Sequence, residues 1–387
     1  MQTDSTNYFS QFDWQTMMSL NPWPENPSAA YDIRKYHKIL SPEYPDFLDR
    51  YLELPCLKRL AGIGLLCGTD WTKLYKNQFY YSRLDHSVGV ALIIWHFTHD
   101  KKQTLAGLFH DISTSVFSHV SDFRKGDALT QTVTEEGTSD ILHSDPLLTQ
   151  LLAQDGLTPA DIENYHLYPV ADNEIPQLSA DRLEYMFPSG MALDGSWDLP
   201  SIERAYQDIS IMKNEDGKDE LGFNTLEIAE DYCHRFCMIG HILQLNENKL
   251  TLHMLGQIMN QAVEQGVLHE DDFMKKSERE IMEELEQFAT LRQAQGPQDN
   301  PEPQDSPGPQ DKLARLYKTF RTMTQIEHTN EPLSADQYFC VSLKVKQRYI
   351  NPLINGVRLS KVSPKAQKII QDFLEYNDTA YGCVRLV

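Results

Sequence analysis

Long apolar runs are absent from this sequence of 387 residues. No run approaches the roughly 20 apolar residues that cross a bilayer, which favours a protein that does not span a membrane. The first residues, from Met1 to Asn7, have neither a basic start nor an apolar stretch of the kind found in secretion signals. Both absences predict a cytoplasmic protein.

Cysteine is scarce and scattered, which predicts reduced thiols of the kind found in a cytoplasm. Cys233 and Cys237 lie four positions apart within a predicted helix. We interpret them as partly buried small residues on one helix face rather than as half of a zinc site. The six cysteines are Cys56, Cys67, Cys233, Cys237, Cys340 and Cys383.

Positive charge is outnumbered, with 35 Lys and Arg against 56 Asp and Glu and a net charge of −21. This balance argues against a general nucleic-acid binder and against a protein that binds anionic membranes. It is compatible with a small phosphate-bearing substrate, because a bound metal and a few local cations can reverse the field inside a pocket.

The spacing of apolar residues predicts a mainly α fold, a helical bundle followed by a small α/β module. Residues 1–30 are rich in Asn, Ser, Pro and aromatics and are predicted to form an irregular arm. Residues 31–292 show helical spacing and are predicted to form the core with a helical extension. Residues 293–311 are rich in Pro, Gln and Asp and predict a linker or disordered loop. Residues 312–387 contain two strand-like segments and a helix.

Four residues predict a metal centre. His110 and Asp111 end an apolar helix, His86 lies in the pattern Arg-x-x-His-Ser-x-Gly-Val, and Asp181 follows Ser179, a predicted helix N-cap. Two imidazoles and two carboxylates suit one divalent ion such as Mn, Fe, Zn, Ni or Mg, and leave room for a water and a phosphate oxygen.

A lone His-Asp pair is weak evidence in a chain with 13 histidines and 56 acidic residues, so the context of each ligand carries the prediction. Apart from these ligands and His119, the histidines are interpreted as surface residues or satisfied core residues. His166 and His328 are among them.

Around these residues the chain resembles the HD-domain phosphohydrolases, and within them the deoxynucleoside-triphosphate triphosphohydrolase, or dGTPase-like, branch. The resemblance covers about a third of the chain. It rests on four segments taken together: Leu54-Pro-Cys-Leu-Lys-Arg59-Leu60-x-x-Ile63, Ser82-Arg83-Leu-Asp-His86-Ser-Val-Gly-Val90, Leu108-Phe-His110-Asp111 with Phe117-Ser-His119, and Asp181-Arg-Leu-Glu-Tyr185.

The resemblance implies an HD-domain bundle in which His86, His110, Asp111 and Asp181 hold one divalent metal ion. It also implies roles around that ion. Arg83 would contact a phosphate, which suits a bidentate guanidinium, and Tyr185 would contact the sugar, with Arg182 beside it as a further substrate-binding residue. The alternatives are a surface cation for Arg83 and core packing for Tyr185.

A His–carboxylate pair is implied beside the phosphate by His119 and Asp122, which lie three residues apart. His119 is the predicted proton-transfer group. Asp122 would orient its ring or raise its pKa.

Three positions depart from the family pattern. Thr114 stands where the family commonly has a histidine, Thr134 stands near a second such position, and Leu65 replaces a glutamine. Because threonine cannot act as a general acid near neutral pH, one such loss costs on the order of 10²–10⁴-fold in rate. His119, Glu135 or Glu136 are the candidate substitutes.

The predicted function is therefore metal-dependent hydrolysis of a nucleotide, most similar to the release of nucleoside plus triphosphate from a dNTP. The alternatives are an HD-type nucleotidase or phosphodiesterase, and a catalytically degenerate nucleotide-binding regulator. The resemblance further implies a homo-oligomer.

Overall fold

The computed structural model describes residues 32–129, 137–295 and 308–387. The predicted N-terminal arm, Thr134 with its neighbouring glutamates, and most of the Pro/Gln/Asp-rich segment lie outside the described residues. Residues 293–295 and 309–311, at the two ends of that segment, are helical in the structure.

The described residues of the first part of the chain are mainly helical. These helices are α1 (Ile33–Leu40), α2 (Leu48–Leu52), α3 (Pro55–Lys58), α4 (Arg83–Thr98), α5 (Lys101–Phe109), α6 (Val120–Arg124), α7 (Thr138–Ser144) and α8 (Pro146–Gln154).

The remaining helices belong to the rest of the bundle and to its extension. They are α9 (Ala180–Leu193), α10 (Leu199–Gln207), α11 (Leu226–Gln244), α12 (Asn246–Glu264), α13 (Asp272–Lys275), α14 (Glu278–Gln295), α15 (Pro309–Thr322), α16 (Leu359–Val362) and α17 (Pro364–Glu375).

Helix α4 is the centre of the bundle. Every residue from Arg83 to Ile94 is buried, so the helix is packed on all sides. It begins with a capping box between Ser82 and Asp85. Helix α5 packs closely against it, because Gly107 has no Cβ at a point where Cδ1 of Ile94 would lie 2.3 Å away.

Two small sheets flank the helices. One has the order β1 (Ile209–Lys213), β2 (Asp219–Phe223), β5 (Leu353–Ile354) and β6 (Val357–Arg358), and β5 runs parallel to β2. The other has β7 (Tyr381–Arg385) between β3 (Glu327–Thr329) and β4 (Tyr338–Val341). The predicted mainly α fold with a small β component is therefore confirmed.

Residues after the predicted boundary at residue 312 contact residues before it. Strands β5 and β6 extend the sheet that β1 and β2 begin, and α15 packs against α14 and α12. The C-terminal residues therefore contribute two of the four strands of this sheet and cover the edge of β2 that β1 leaves open.

The prediction that all six cysteines are reduced is wrong for one pair. Cys340 on β4 and Cys383 on β7 are directly opposite in the antiparallel register, and they form a disulfide. The sequence offers no sign of this pairing, because 43 residues separate the two positions. Cys233 and Cys237 lie on α11 and are both buried, more completely than predicted.

Across the three described ranges, none of the helices has both the length and the apolar character needed to cross a bilayer.

Candidate metal centre

Three of the predicted ligands meet at one point between α4, α5 and α9. Nε2 of His86 lies 3.1 Å from Oδ1 of Asp181, and Nε2 of His110 lies 3.8 Å from the same oxygen. Ligand atoms of His86, His110 and Asp181 all lie within 4.8 Å of one another. Ser179 caps α9 as predicted, so Asp181 lies in the first turn and faces the cluster.

The two imidazoles are held in the orientation that a metal needs. Nδ1 of His86 lies 2.5 Å from Oε2 of Glu184, and Nδ1 of His110 lies 2.7 Å from the carbonyl oxygen of Gly107. An ionised carboxylate and a carbonyl only accept hydrogen bonds, so each Nδ1 carries the proton and each Nε2 presents its lone pair to the shared space. This donor set fits a divalent ion of borderline softness.

Glu184 is a supporting residue that the sequence reasoning missed. It is fully buried and accepts hydrogen bonds from Tyr81 (2.5 Å) and Tyr36 (3.1 Å) while it holds His86. Gly89 makes room for it, because a Cβ there would lie 2.4 Å from Oε1 of Glu184. The available signal was the spacing of three residues from Asp181, which places both carboxylates on one helix face.

Asp111, the fourth predicted ligand, borders the cluster but is shared with a cation. Its Oδ2 lies 3.5 Å from Nε2 of His110 and 2.8 Å from Nη1 of Arg83. Burial raises the pKa of the Asp111 carboxyl, but the charge of Arg83 and of the two histidines outweighs burial and holds the pKa well below its usual range. Asp111 is therefore ionised and available to a metal.

Thr114 donates a hydrogen bond to the other oxygen of Asp111, at 3.0 Å. It is fully buried, and it orients this carboxylate. Arg59 fixes the same turn, because its Nη2 donates to the carbonyls of Ile112 (2.7 Å) and Thr114 (2.8 Å). Together these bonds allow the adjacent His110 and Asp111 to face one point.

A left-handed turn presents His119 to the site. Phe117 and Ser118 have φ of 60° and 54°, a costly conformation for residues other than glycine. Ser118 accepts a hydrogen bond from Nε of Arg83 and donates one to Gly64, each 2.9 Å long. Buried Glu278 accepts the backbone N–H groups of Phe117 and Gly64 and so stabilises the turn from behind.

His119 and Asp122 form the predicted pair, with Nδ1 of His119 2.9 Å from Oδ2 of Asp122. Nε2 of His119 lies 3.3 Å from Nη2 of Arg348, a donor only, so this nitrogen accepts. Burial lowers the pKa of His119, and Arg348 and Arg83 lower it further against the opposing effect of Asp122. The imidazole is therefore neutral, and Asp122 orients the ring without raising its pKa overall.

The ligands line a cavity of about 680 Å³. Four cationic side chains face it, and two of them come from the C-terminal region that sequence reasoning left unassigned. Aromatic side chains and Leu65 also line the cavity. The cations are Arg83, Arg182, Lys346 and Arg348, and the aromatic residues include Tyr75, Phe123, Tyr165 and Tyr185.

Arg182 and Tyr185 both line this cavity, as their predicted contact with substrate requires. Arg182 is engaged within the protein, because its Nε donates to Gln177 (2.8 Å) and its Nη2 bonds to Asn173. The ring of Tyr185 packs near Phe236, with centroids 6.2 Å apart, and burial raises the pKa of its hydroxyl. Arg182 thus fixes the wall of the cavity.

The chain matches no protein-family model. Over 228 residues it is 24% identical to the metal-dependent phosphohydrolase cns2 of the fungus Cordyceps militaris. The match covers 56% of this chain and 61% of that relative, so this chain spans about three fifths of the relative's length.

Two solved structures share the fold. A phosphohydrolase from Bacteroides thetaiotaomicron VPI-5482 gives a TM-score of 0.57 at 13% identity, over 89% of this chain and 97% of that chain. A hypothetical protein from Aquifex aeolicus gives a TM-score of 0.55 at 14% identity, over 89% and 93% of the two chains. At such identities the likeness establishes the fold.

Proposed function

We propose that this chain is a metal-dependent phosphohydrolase of the HD type that acts on a nucleotide. His86, His110, Asp111 and Asp181 would hold one divalent ion. The observation that carries the proposal is the convergence of two Nε2 lone pairs and the Asp181 carboxylate on a cavity that four cations line. The name of the curated relative supports the same chemistry.

A nucleotide is supported by the size and the lining of the cavity. Its volume of about 680 Å³ lies within the range of small-molecule sites. The cations that line the cavity suit phosphates, and aromatic side chains such as Tyr75 and Tyr185 suit a base and a sugar. The first candidate reaction is release of a nucleoside plus triphosphate from a dNTP.

The residues around the cluster have separate tasks in this reaction. When bound, a divalent ion would polarise a phosphoryl oxygen and lower the pKa of a water. Arg83 keeps Asp111 ionised and presents its guanidinium to a phosphate. Arg348, which His119 holds in place, supplies a second cation, and Tyr185, which lines the same cavity, would contact the sugar.

A phosphate monoester or diester of a nucleoside is the second candidate substrate. The geometry of Thr114 favours this candidate, because the Thr114 hydroxyl is hydrogen-bonded to Asp111 and the residue is fully buried. Thr114 therefore cannot stand in for the histidine that the resemblance places at this position in the triphosphohydrolase branch.

The test is a hydrolysis panel on the purified chain with Mn²⁺, Mg²⁺, Zn²⁺, Ni²⁺ or Co²⁺. Substrates are dNTPs, NTPs, nucleoside monophosphates and a phosphodiester, with products separated by chromatography. We expect turnover that His110→Ala abolishes and that the control His269→Ala, at an exposed histidine, retains. Triphosphate as product supports the first candidate, and orthophosphate or a cleaved diester supports the second. Nucleotide binding without turnover on any metal would overturn the proposal in favour of a regulator.

A homo-oligomer belongs to the same proposal, by the resemblance alone. Light scattering of the purified chain tests the oligomeric state, and a monomeric mass would contradict it.

A further inference from the structure

The proposed reaction needs a proton donor for the oxygen that leaves phosphorus, and His119 does not fit that role. Its Nε2, the nitrogen that would have to donate, accepts a hydrogen bond from Arg348 instead. Burial and two arginines lower its pKa and keep it neutral. Thr114, at the family's other histidine position, is bonded to Asp111.

A second His–carboxylate pair faces the same cavity. Nδ1 of His166 lies 2.7 Å from Oδ2 of Asp172, and both residues line the cavity. The side chain of His166 is 48% exposed, whereas that of Asp172 is 12% exposed. A substrate in the cavity can therefore reach the imidazole, while the carboxylate stays behind it.

Contacts through Ser179 and Tyr165 link the His166–Asp172 pair to the metal centre. Asp172 lies 3.4 Å from Oγ of Ser179, which caps the helix that carries Asp181. The ring of Tyr165 lies between the two sites, with centroids 5.1 Å from His110 and 4.3 Å from His166. Nη2 of Arg182 lies 3.3 Å from Oδ1 of Asp172 and holds this carboxylate in place.

We propose that His166 is the general acid of the reaction and that Asp172 positions it, an inference that rests on the proposed hydrolase function. The P–O bond to the leaving oxygen breaks, and its electron pair stays on that oxygen, which takes the proton from Nε2 of His166. A water oxygen forms the new bond to phosphorus and loses its proton to solvent. Solvent then returns a proton to His166, so the net reaction consumes one water.

The test compares leaving groups of different basicity in His166→Ala. p-Nitrophenyl phosphate has a weakly basic leaving oxygen that needs little protonation, whereas the 5′-oxygen of a dNTP or of a deoxynucleoside monophosphate is strongly basic. We expect the variant to lower kcat on the order of 10²–10⁴-fold for the nucleotides and much less for the aryl ester. Added imidazole restores part of the nucleotide rate, and Asp172→Asn shows the same ordering with a smaller loss.

His143→Ala is the matched control, since His143 forms a similar half-exposed pair with Glu163 away from the cavity. Bound metal, measured by mass spectrometry, stays at the wild-type level in His166→Ala. Equal losses on both substrate types, or no loss, would overturn the role of His166 while wild-type turnover keeps the hydrolase function. A wild-type chain that turns over none of the substrates overturns both.

Discussion

At the scale of single residues, the metal centre depends on side chains that touch the ligands. Glu184 is such a side chain, because it is fully buried and accepts hydrogen bonds from His86, Tyr36 and Tyr81. A carboxylate behind an imidazole fixes its tautomer and raises its basicity. The sequence motif contains this residue without indicating its task.

We predict that Glu184→Gln weakens the affinity for Mn²⁺ or Zn²⁺ by about 10–100-fold, because the imidazole of His86 loses a charged acceptor. Isothermal titration of the metal-free chain measures this. Glu264→Gln, at an exposed position on α12, is the control and should bind as the wild type does. Equal affinities in the two variants would show that Glu184 serves packing alone.

At the scale of elements, the site depends on how closely α4 and α5 approach. Gly107 makes that approach possible, and its carbonyl also accepts the hydrogen bond of His110. One residue thus joins helix packing to ligand orientation.

We predict that Gly107→Ala destabilises the fold by about 1–3 kcal/mol, because a Cβ would lie 2.3 Å from Cδ1 of Ile94 and force the helices apart. Urea unfolding measures the change. Ile94→Val removes the clashing atom, so the double variant should lose less stability than the two single changes together. Strict additivity would show that the clash is relieved elsewhere.

At the scale of the whole molecule, the C-terminal residues and the helical core are joined by ion pairs. His328 on β3 lies 2.9 Å from Glu247 on α12 and 3.1 Å from Asp378, which precedes β7. Its two nitrogens contact different carboxylates, which suits a protonated imidazole. Burial lowers the pKa of His328, but the two carboxylates outweigh burial and raise it above its ordinary value.

This raised pKa predicts a contribution to stability that is complete below the unfolded pKa of about 6.5 and is lost as the pH rises through the folded pKa. His328→Gln should therefore destabilise the fold at pH 6, by no more than about 1 kcal/mol because the pair is partly exposed and screened, and hardly at pH 9. Urea unfolding at both pH values measures this, with His269→Gln as control. A loss that is larger at pH 9 would contradict the assignment.

Local sequence was enough to predict the mainly α fold, the cap of α9 and the convergence of His86, His110 and Asp181, because helical spacing, capping and motif chemistry are local properties. Features that depend on distant contacts appeared only in the folded chain. Folding buried His119 and brought Arg348 to it across 229 residues, and both lower the pKa of that imidazole. It placed His166 and Asp172 beside the ligands, joined β5 to β2, and set Cys340 opposite Cys383, since register and convergence exist only after the chain has folded.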